Sequence, residues 1–349
     1  MRRISATLAI LLGFASVVRS QTPATPRIVE FSVPGAGSNN GQGTIGKAIA
    51  ADGTVAGFYI DSNAVTHGFV RSAEGEFTSF DPVGSVGTYP SAMNATHDIV
   101  GRYVDTRGVE HGFVRSTEGA IVTFDAPGAG TNSDQGTFLV AITNGSITGY
   151  YLDQSSAYHG FLITRSAKFT RFDAPHAGTG AFQGTTTSGL NDAGQIGGSF
   201  VDSNFVSHGF IRGSNGKFTE FGPPGSLDTY VSAINLQGTV TGIYIPPIGL
   251  GAGFVRTADG QITSFGTTWA SFGIGTINAA GAVTGYYYDS QLVSHGFVRD
   301  PNGDITDFSA PGAGTGSNQG THASANNDAG AVTGWYVDSD GVYHGFVGK

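Results

Sequence analysis

Residues 149–161 read GYYLDQSSAYHGF, and variants of this stretch recur along the chain. The H-G-F element occurs six times, and a seventh copy with Ala252 in place of the histidine completes a series spaced 43–49 residues apart. An aspartate stands six residues before each histidine, and an aromatic residue stands two residues before each aspartate. The pairs are Asp61 with His67, Asp105 with His111, Asp153 with His159, Asp202 with His208, Asp289 with His295, and Asp338 with His344. A period of this length indicates an array in which each repeat is one structural unit.

Each repeat contains four short segments of strand character. In the fourth repeat these are residues 185–190, 195–201, 208–212 and 217–221, separated by turns rich in Gly, Asn and Asp. No apolar periodicity of the helical type follows the N-terminal segment. Four strands in 43–49 residues match a β-propeller blade, whereas a β-helix coil needs about half that length.

The two ends of the array indicate how the blades close. Residues 28–31 (IVEF) correspond to a fourth strand with no blade before it, and residues 344–347 correspond to a third strand with no fourth strand after it. Closure removes the exposed sheet edges that an open array would leave. We therefore expect an all-β, seven-bladed β-propeller of four-stranded blades over residues 27–349, closed by an N-terminal strand that completes the last blade.

One position of the predicted first strand carries a small residue in all seven repeats. The first strand of a propeller blade lies nearest the axis, where the blades converge and space is short. The residues are Ala48, Ala92, Ala141, Gly189, Ala233, Thr276 and Ala325.

The N-terminus predicts export. Residues 1–20 combine Arg2 and Arg3 with an apolar stretch over residues 4–18, which is typical of a signal peptide cleaved before Gln21. Residues 21–26 would form a short linker. The apolar stretch is short for a membrane span, although an uncleaved anchor is the alternative. We expect a secreted protein, extracellular or periplasmic, that does not insert into the membrane after cleavage.

Charge and composition narrow the class of partner. The formal net charge is −9, and cleavage of the signal peptide would remove three arginines and no acid, giving −12. A net acidic surface argues against nucleic acid as a partner. The chain has no cysteine, so its core alone must hold the exported fold together. The chain has 56 glycines, but its 24 Phe and 13 Tyr favour a folded chain over disorder. We expect the folded protein to be a monomer.

The repeat resembles the HAF family of extracellular repeats found in exported bacterial proteins. The resemblance rests on the G-x-Y-x-D element, as at Gly149 to Asp153, and on the H-G-F element that follows it. It covers residues 27–346, although this chain has glycine where the family name implies alanine. The resemblance implies export and a repeat fold, and it implies no catalytic residue.

The six Asp and His pairs allow two interpretations. The aspartate would end the second strand of a blade and the histidine would open the third, so the two side chains can meet across a hairpin. One interpretation is a set of six acid–base dyads or a metal ring. We favour a structural clamp repeated once per blade, because an active site needs one asymmetric arrangement rather than six equivalent ones.

Two loop patterns have ligand-binding alternatives. Asp-Ser segments such as Asp61-Ser62 resemble the start of a calcium loop, but the downstream bidentate Glu is absent. Segments reading P-G-A-G begin at Pro34, Pro127 and Pro311, and each is followed by Gln-Gly-Thr. A glycine-rich loop can hold phosphate, but the P-loop lysine and helix are missing. We expect turns and blade crossings here, with no metal ion and no cofactor.

The fifth repeat departs from the pattern and is the predicted binding face. Pro246 and Pro247 replace the Asp-to-His loop, and the next crossing carries Trp269. In a propeller these loops share one face, and an apolar loop beside a tryptophan can form a partner-binding patch. Tyr230 and Tyr89 begin first strands near the same channel mouth and complete the predicted patch. Simple drift of the repeat is the alternative.

No nucleophile elbow, zinc-protease motif or nucleotide fingerprint occurs, so no catalytic residue is designated. We expect a non-catalytic binding scaffold for a protein, peptide or glycan. The alternatives are a hydrolase or lyase acting at the axial channel, which rests on fold analogy alone, and a purely structural surface protein. Unpaired His, Asp or Glu side chains converging on the channel would favour an enzyme.

Overall fold

The computed structural model describes residues 26–248, 250–266 and 271–349, so the predicted signal peptide and most of the predicted linker lie outside it. The described residues form 28 strands and no helix. None of them forms a helix of the length and apolarity that crossing a membrane would need.

Antiparallel pairing groups the strands into seven units of four, which are called sheets here and numbered by repeat. Single parallel bridges join six of these sheets into one continuous ladder, whereas sheet 5 has no such bridge within the described residues. Sheet 1 comprises β2 (Gly43–Ile49), β3 (Val55–Ile60), β4 (Thr66–Arg71) and β5 (Phe77–Phe80). Sheet 2 comprises β6 (Gly87–Met93), β7 (Ile99–Val104), β8 (Glu110–Arg115) and β9 (Ile121–Phe124). Sheet 3 comprises β10 (Gly136–Ile142), β11 (Ile147–Leu152), β12 (Tyr158–Ile163) and β13 (Phe169–Phe172). Sheet 4 comprises β14 (Gly184–Leu190), β15 (Ile196–Val201), β16 (Ser207–Arg212) and β17 (Phe218–Phe221). Sheet 5 comprises β18 (Asp228–Ile234), β19 (Val240–Ile245), β20 (Ala252–Arg256) and β21 (Ile262–Phe265). Sheet 6 comprises β22 (Ser271–Ile277), β23 (Val283–Tyr288), β24 (Ser294–Arg299) and β25 (Ile305–Phe308), and sheet 7 comprises β26 (Gly320–Asn326), β27 (Val332–Val337), β28 (Tyr343–Gly348) and β1 (Ile28–Phe31).

The N-terminal strand completes the last sheet, as the chain ends predicted. β1 pairs antiparallel with β28, with Ile28 opposite Gly348 and Phe31 opposite Gly345. The first strands of successive sheets contact one another in order, and β26 of sheet 7 returns to β2 of sheet 1. The chain is therefore a β-propeller. The four segments predicted in the fourth repeat agree with β14 to β17 within one residue at each end.

Two further contacts close the ring at the seam between sheets 7 and 1. The backbone N–H of Tyr343 donates to the carbonyl of Gln42 at 2.7 Å. On the opposite face, the side-chain amide of Asn327 donates to the carbonyl of Ala50 at 2.8 Å. Asn191, Asn235 and Asn278 make the same bond to the next sheet at 2.9–3.1 Å. The repeated Asn turns therefore connect neighbouring blades as well as reversing the chain.

The core lies between the sheets and explains the glycine of the H-G-F element. The phenylalanine of this element is fully buried in all seven repeats. The preceding glycine lies beneath the phenylalanine that ends the fourth strand, and a Cβ on Gly160 would approach the ring of Phe172 to 2.6 Å. Alanine at this position would displace that ring.

The glycine of the Gln-Gly pair lets one blade approach the previous one. Gly136 has a φ of 125°, and a Cβ there would lie 1.9 Å from the carbonyl oxygen of Glu110. This approach lets the Glu110 N–H donate to the Gln135 carbonyl at 2.8 Å. Asp228 stands at the corresponding position in sheet 5, where no backbone bridge to sheet 4 forms in the described residues. The carboxylate of Asp228 instead accepts the N–H of Ser207 at 2.8 Å.

Candidate functional site

An axial channel of about 700 Å³ passes between the first strands, and all seven sheets line it. Each first strand carries an irregularity of the β-bulge type just before its small residue. A bulge leaves one residue without a partner in the ladder and redirects its side chain. The residues that precede the small positions all line the channel: Lys47, Ser91, Val140, Ser188, Ser232, Gly275 and Ser324.

Lys47 is the charged member of this ring of bulge residues. Its side chain has accessible surface only toward the interior of the channel, where protein surrounds it on all sides. It makes no ion pair or hydrogen bond with any residue in the described ranges. The surrounding sheets bury the ammonium group, and this burial lowers the pKa of Lys47. The cavity lining contains no His, Asp or Glu from the described chain. An anionic group entering the channel would therefore meet one unneutralised lysine.

One wall of the channel is aromatic and carries a second cation. Phe58 and Tyr89 pack edge to face at 5.5 Å, and the Arg102 guanidinium lies 4.3 Å from the centre of the Tyr89 ring. Nη1 of Arg102 donates to both carboxylate oxygens of Glu110 at 2.7 and 2.8 Å. Burial raises the pKa of Glu110 even though Arg102 opposes this effect. Arg102 therefore has its counter-ion, whereas Lys47 has none.

A second aromatic group lies at the seam between sheets 6 and 7. His322 is buried and stacks on Trp335, with ring centres 3.9 Å apart and planes 4° apart. Tyr286 packs on the same imidazole at 4.2 Å. Burial lowers the pKa of His322 to about 4, so the ring is neutral at physiological pH. Its Nδ1 has no hydrogen-bond partner in the described structure, and the stack fixes its orientation.

The six predicted Asp and His pairs do meet in space. The distances from Nε2 to the carboxylate oxygen run from 3.0 Å at His344 to 3.7 Å at His67. The other carboxylate oxygen caps the turn, and in the first repeat it accepts the N–H groups of Asn63 and Val65 at 2.8 Å. Donation from the Val65 N–H is the main factor that lowers the pKa of Asp61.

The aromatic residue two positions before each aspartate packs against the histidine, and the rings are stacked in four of the six pairs and tilted in the other two. Ring centres lie between 4.8 Å at Phe200 with His208 and 5.3 Å at Tyr287 with His295. This contact accounts for the aromatic position in the repeat, which pairs directly opposite the histidine on the neighbouring strand.

A second partner of the histidine follows the fourth strand. Nδ1 of His67, His111 and His159 lies 2.7–2.8 Å from a carboxylate of Asp81, Asp125 and Asp173 respectively. Nδ1 of His295 and His344 lies 3.0–3.1 Å from the hydroxyls of Ser309 and Ser32. The hydrogen bond to Asp173 raises the pKa of His159 against the opposing effect of burial. The histidine thus joins the second, third and fourth strands of one sheet.

The P-G-A-G segments lie at the crossings between sheets, as expected. Gly130 packs against the side chain of Gln135, where a Cβ would approach Oε1 to 2.3 Å. That oxygen accepts the N–H of Asn132 at 3.2 Å, while Nε2 donates to the carbonyl of Gln154 at 3.2 Å. The glutamine therefore ties the crossing to the neighbouring hairpin, which gives these loops a structural role.

The fifth-repeat loop is apolar and exposed. Pro247 is exposed, and Ile248 retains 91% of its surface. Pro246 is half-buried, and the loop ends at Gly251, which lies against the ring of Phe272 in sheet 6. The loop thus reaches the neighbouring blade.

The remaining members of the predicted patch are separate. Tyr89 belongs to the channel wall of sheet 2, whereas Tyr230 is 44% exposed on sheet 5. No ring contact or hydrogen bond joins these two tyrosines within the described ranges. Trp269 lies outside the described residues. The binding role of Pro246, Pro247, Tyr230, Tyr89 and Trp269 stays a prediction.

The described residues contain no cluster of three or more His, Asp or Glu side chains suited to a metal ion. His97 lies 3.2 Å from Asp52, and His176 lies 2.9 Å from Glu220. Together with the stacked His322, these histidines occupy three different places in the ring.

No family model and no curated protein sequence matches this chain. Similar solved structures include a catalytically inactive virginiamycin B lyase from Staphylococcus aureus, with a TM-score of 0.58, 14% identity and coverage of 93% of this chain and 99% of that one. They also include the BP39L lectin from Burkholderia pseudomallei (TM-score 0.51, 10% identity, covering 91% and 97%). The β-propeller domain of the Trilobed protease from Pyrococcus furiosus has a TM-score of 0.50 at 10% identity, covering 91% and 96%. At such low identity these similarities show the propeller fold and nothing about activity.

Sequence reasoning missed Lys47. The position before the small residue of the first strand carries serine in four repeats. The other three repeats carry valine, glycine and this lysine. The exception was therefore visible, but its position in the channel depends on the bulge, which leaves no pattern in the sequence.

Proposed function

We propose that this protein is a non-catalytic binding propeller whose ligand enters the axial channel and presents an anionic group to Lys47. The observation that carries the proposal is the unpaired lysine in a cavity of ligand size. Binding an anion would restore the interaction with opposite charge that the fold itself does not provide.

The rest of the lining favours an acidic glycan. Ser91, Ser188, Ser232 and Ser324 offer hydroxyl groups around the lysine, and Tyr89 adds aromatic surface on one side. Hydroxyl groups match the hydrogen-bonding groups of a sugar. We propose a glycan that contains uronic acid. Propellers of similar fold include both a lectin and a lyase, so the fold accommodates either binding or catalysis.

Isothermal titration with uronate and neutral oligosaccharides of equal length tests the proposal. We expect the uronate to bind and Lys47→Met to weaken binding about 10–100-fold, the value of a hydrogen bond to a charged group. Lys217→Met is the matched control, because Lys217 is exposed on the surface. Binding should also weaken as the pH rises through the pKa of Lys47.

Equal binding by the wild-type protein and Lys47→Met would refute the channel site. Shortening of the oligosaccharide, or appearance of an unsaturated product, would instead support the hydrolase or lyase alternative. Preference for an acidic peptide over the uronate would keep the channel site but change the ligand class.

We also propose that the protein is exported and related to the HAF repeats. The first proposal rests on residues 1–20 and the second on the recurring G-x-Y-x-D and H-G-F elements.

A further inference from the structure

One of the six repeat histidines lacks its second partner. Nδ1 of His208 contacts no hydrogen-bond partner in the described structure, whereas the other five each reach an aspartate or a serine. Gly222 stands where those repeats carry the second partner. The His208 side chain is 40% exposed, compared with 11–27% for the other five. The sixfold arrangement is therefore asymmetric at this position.

A cavity of about 380 Å³ lies beside His208 at the seam between sheets 4 and 5. Its lining includes Gly222, Pro223, Ser226 and Thr229. This is also the seam at which Asp228 replaces the close-approach glycine and no backbone bridge forms. The missing bridge and the missing side chain together leave the space.

The seam between sheets 1 and 2 shows what normally fills this position. The two crossings are similar, with Asp81, Ser85 and Thr88 at the positions of Gly222, Ser226 and Thr229. The Asp81 carboxylate lies 2.7 Å from Nδ1 of His67 and accepts the Thr88 hydroxyl at 2.5 Å.

The hydrogen-bonding groups around the empty position persist in the fourth repeat. Oγ1 of Thr229 lies 3.1 Å from Oγ of Ser226, and a Cβ on Gly222 would approach these two oxygens to 2.8 and 2.9 Å. The site therefore keeps the hydroxyl donor and the imidazole and lacks the carboxylate, and the two hydroxyl groups would have to turn aside to admit a side chain at Gly222.

We propose that this cavity binds the carboxylate of a small organic acid, in the position that Asp81 occupies in the first repeat. The Nδ1–H of His208 and the hydroxyl of Thr229 would donate to the ligand. The site is separate from the channel and does not depend on Lys47.

Three carboxylates of the chain lie near the cavity, and each already has a partner. Asp202 lies 3.3 Å from Nε2 of His208 and orients the imidazole. Glu220 also lines the cavity but is bonded to His176 at 2.9 Å, and Asp228 accepts a backbone N–H. A ligand carboxylate would give His208 the two-carboxylate environment that His67, His111 and His159 have within their own blades.

Histidine-ring NMR spectra of the mature chain during titration with sodium acetate test the proposal. We expect acetate to shift the His208 signals in a saturable manner. Acetamide, which has similar shape and no charge, should have no effect. A parallel titration with glucuronate distinguishes a sugar acid from a simple acid, because a response to glucuronate alone would assign the site to sugar acids.

Reciprocal variants provide the control. Gly222→Asp should supply the carboxylate internally and abolish the response to acetate. Asp81→Gly should create the same vacancy in the first repeat, so that His67 becomes responsive to acetate. The proposal is overturned if neither acid shifts His208 in the wild-type protein, if acetamide acts like acetate, or if Gly222→Asp still responds. Lys47→Met should leave all of these responses unchanged, which separates this site from the channel.

Discussion

Replacing Phe31 by alanine should destabilise the whole ring, because Phe31 fixes the N-terminal strand between the last sheet and the first. Only 9% of its surface is exposed. Its ring centre lies 6.1 Å from that of Phe69 and 5.9 Å from that of Phe77, and the guanidinium carbon of Arg71 lies 5.1 Å away. All three neighbours belong to sheet 1, whereas β1 pairs within sheet 7.

The expected loss follows from the buried area. An aromatic side chain buries roughly 150–250 Å², worth about 4–6 kcal/mol at ~25 cal/mol per Å². Alanine keeps part of this, and measured Phe-to-Ala losses in protein cores are about 3–5 kcal/mol. Urea lowers the free energy of unfolding by about 3 kcal/mol per M, so the urea concentration at the unfolding midpoint should fall by about 1–1.7 M.

Two matched variants make the measurement decisive. Phe172→Ala removes the equivalent ring between sheets 3 and 4, where 8% of the side chain is exposed and Phe218 and Arg212 lie at 6.0 and 4.7 Å. Val29→Ala alters an exposed residue on the same strand as Phe31 and should change stability by less than about 0.5 kcal/mol. Closure by β1 is refuted if Phe172→Ala shows the full loss while Phe31→Ala behaves like Val29→Ala in urea denaturation followed by tryptophan fluorescence.

Two further perturbations test the contacts between and within blades. Gly136→Ala should cost about 2–4 kcal/mol in urea denaturation, from backbone strain and a lost interblade hydrogen bond. Gly41 also has a positive φ, but the space around its Cβ position is open. Gly41→Ala should therefore cost only about 1–2 kcal/mol. Equal losses of stability in Gly136→Ala and Gly41→Ala would contradict the close-approach explanation. His159→Gln should cost about 2 kcal/mol at pH 5.5 and distinctly less at pH 8.5. The pKa of His159 is raised above 6.5. The stabilisation is therefore complete below pH 6.5 and disappears as the pH rises through the pKa of His159 in the folded protein. A loss of stability that does not depend on pH would show that the charge of His159 plays no part.

The repeat made most of the fold predictable. The H-G-F spacing defined the unit, and the unmatched strands at residues 28–31 and 344–347 indicated the closure that β1 and β28 make. Asp61 and His67 were recognisable as a pair because a short hairpin brings its two ends together whatever the rest of the chain does.

The second partner of the histidine was harder to foresee. Asp81 lies 14 residues from His67 and reaches it only because the fourth strand packs beside the third. The same residue position carries Asp, Ser or Gly in different repeats, so a one-sequence pattern does not mark it. The vacancy beside His208 therefore follows from the packing of the third and fourth strands and not from a local sequence pattern.

The sequence alone determined the number of repeats, their strands and the hairpin pairs, because local spacing and turn chemistry act over a few residues. Only the tertiary structure decided that seven bulges direct Lys47 and its counterparts into a common channel, and that the seam between sheets 4 and 5 leaves a cavity. The physical reason is that both features depend on contacts between blades. Side chains far apart along the chain are brought together there by the closed ring, and no local pattern records which charges then remain without a partner.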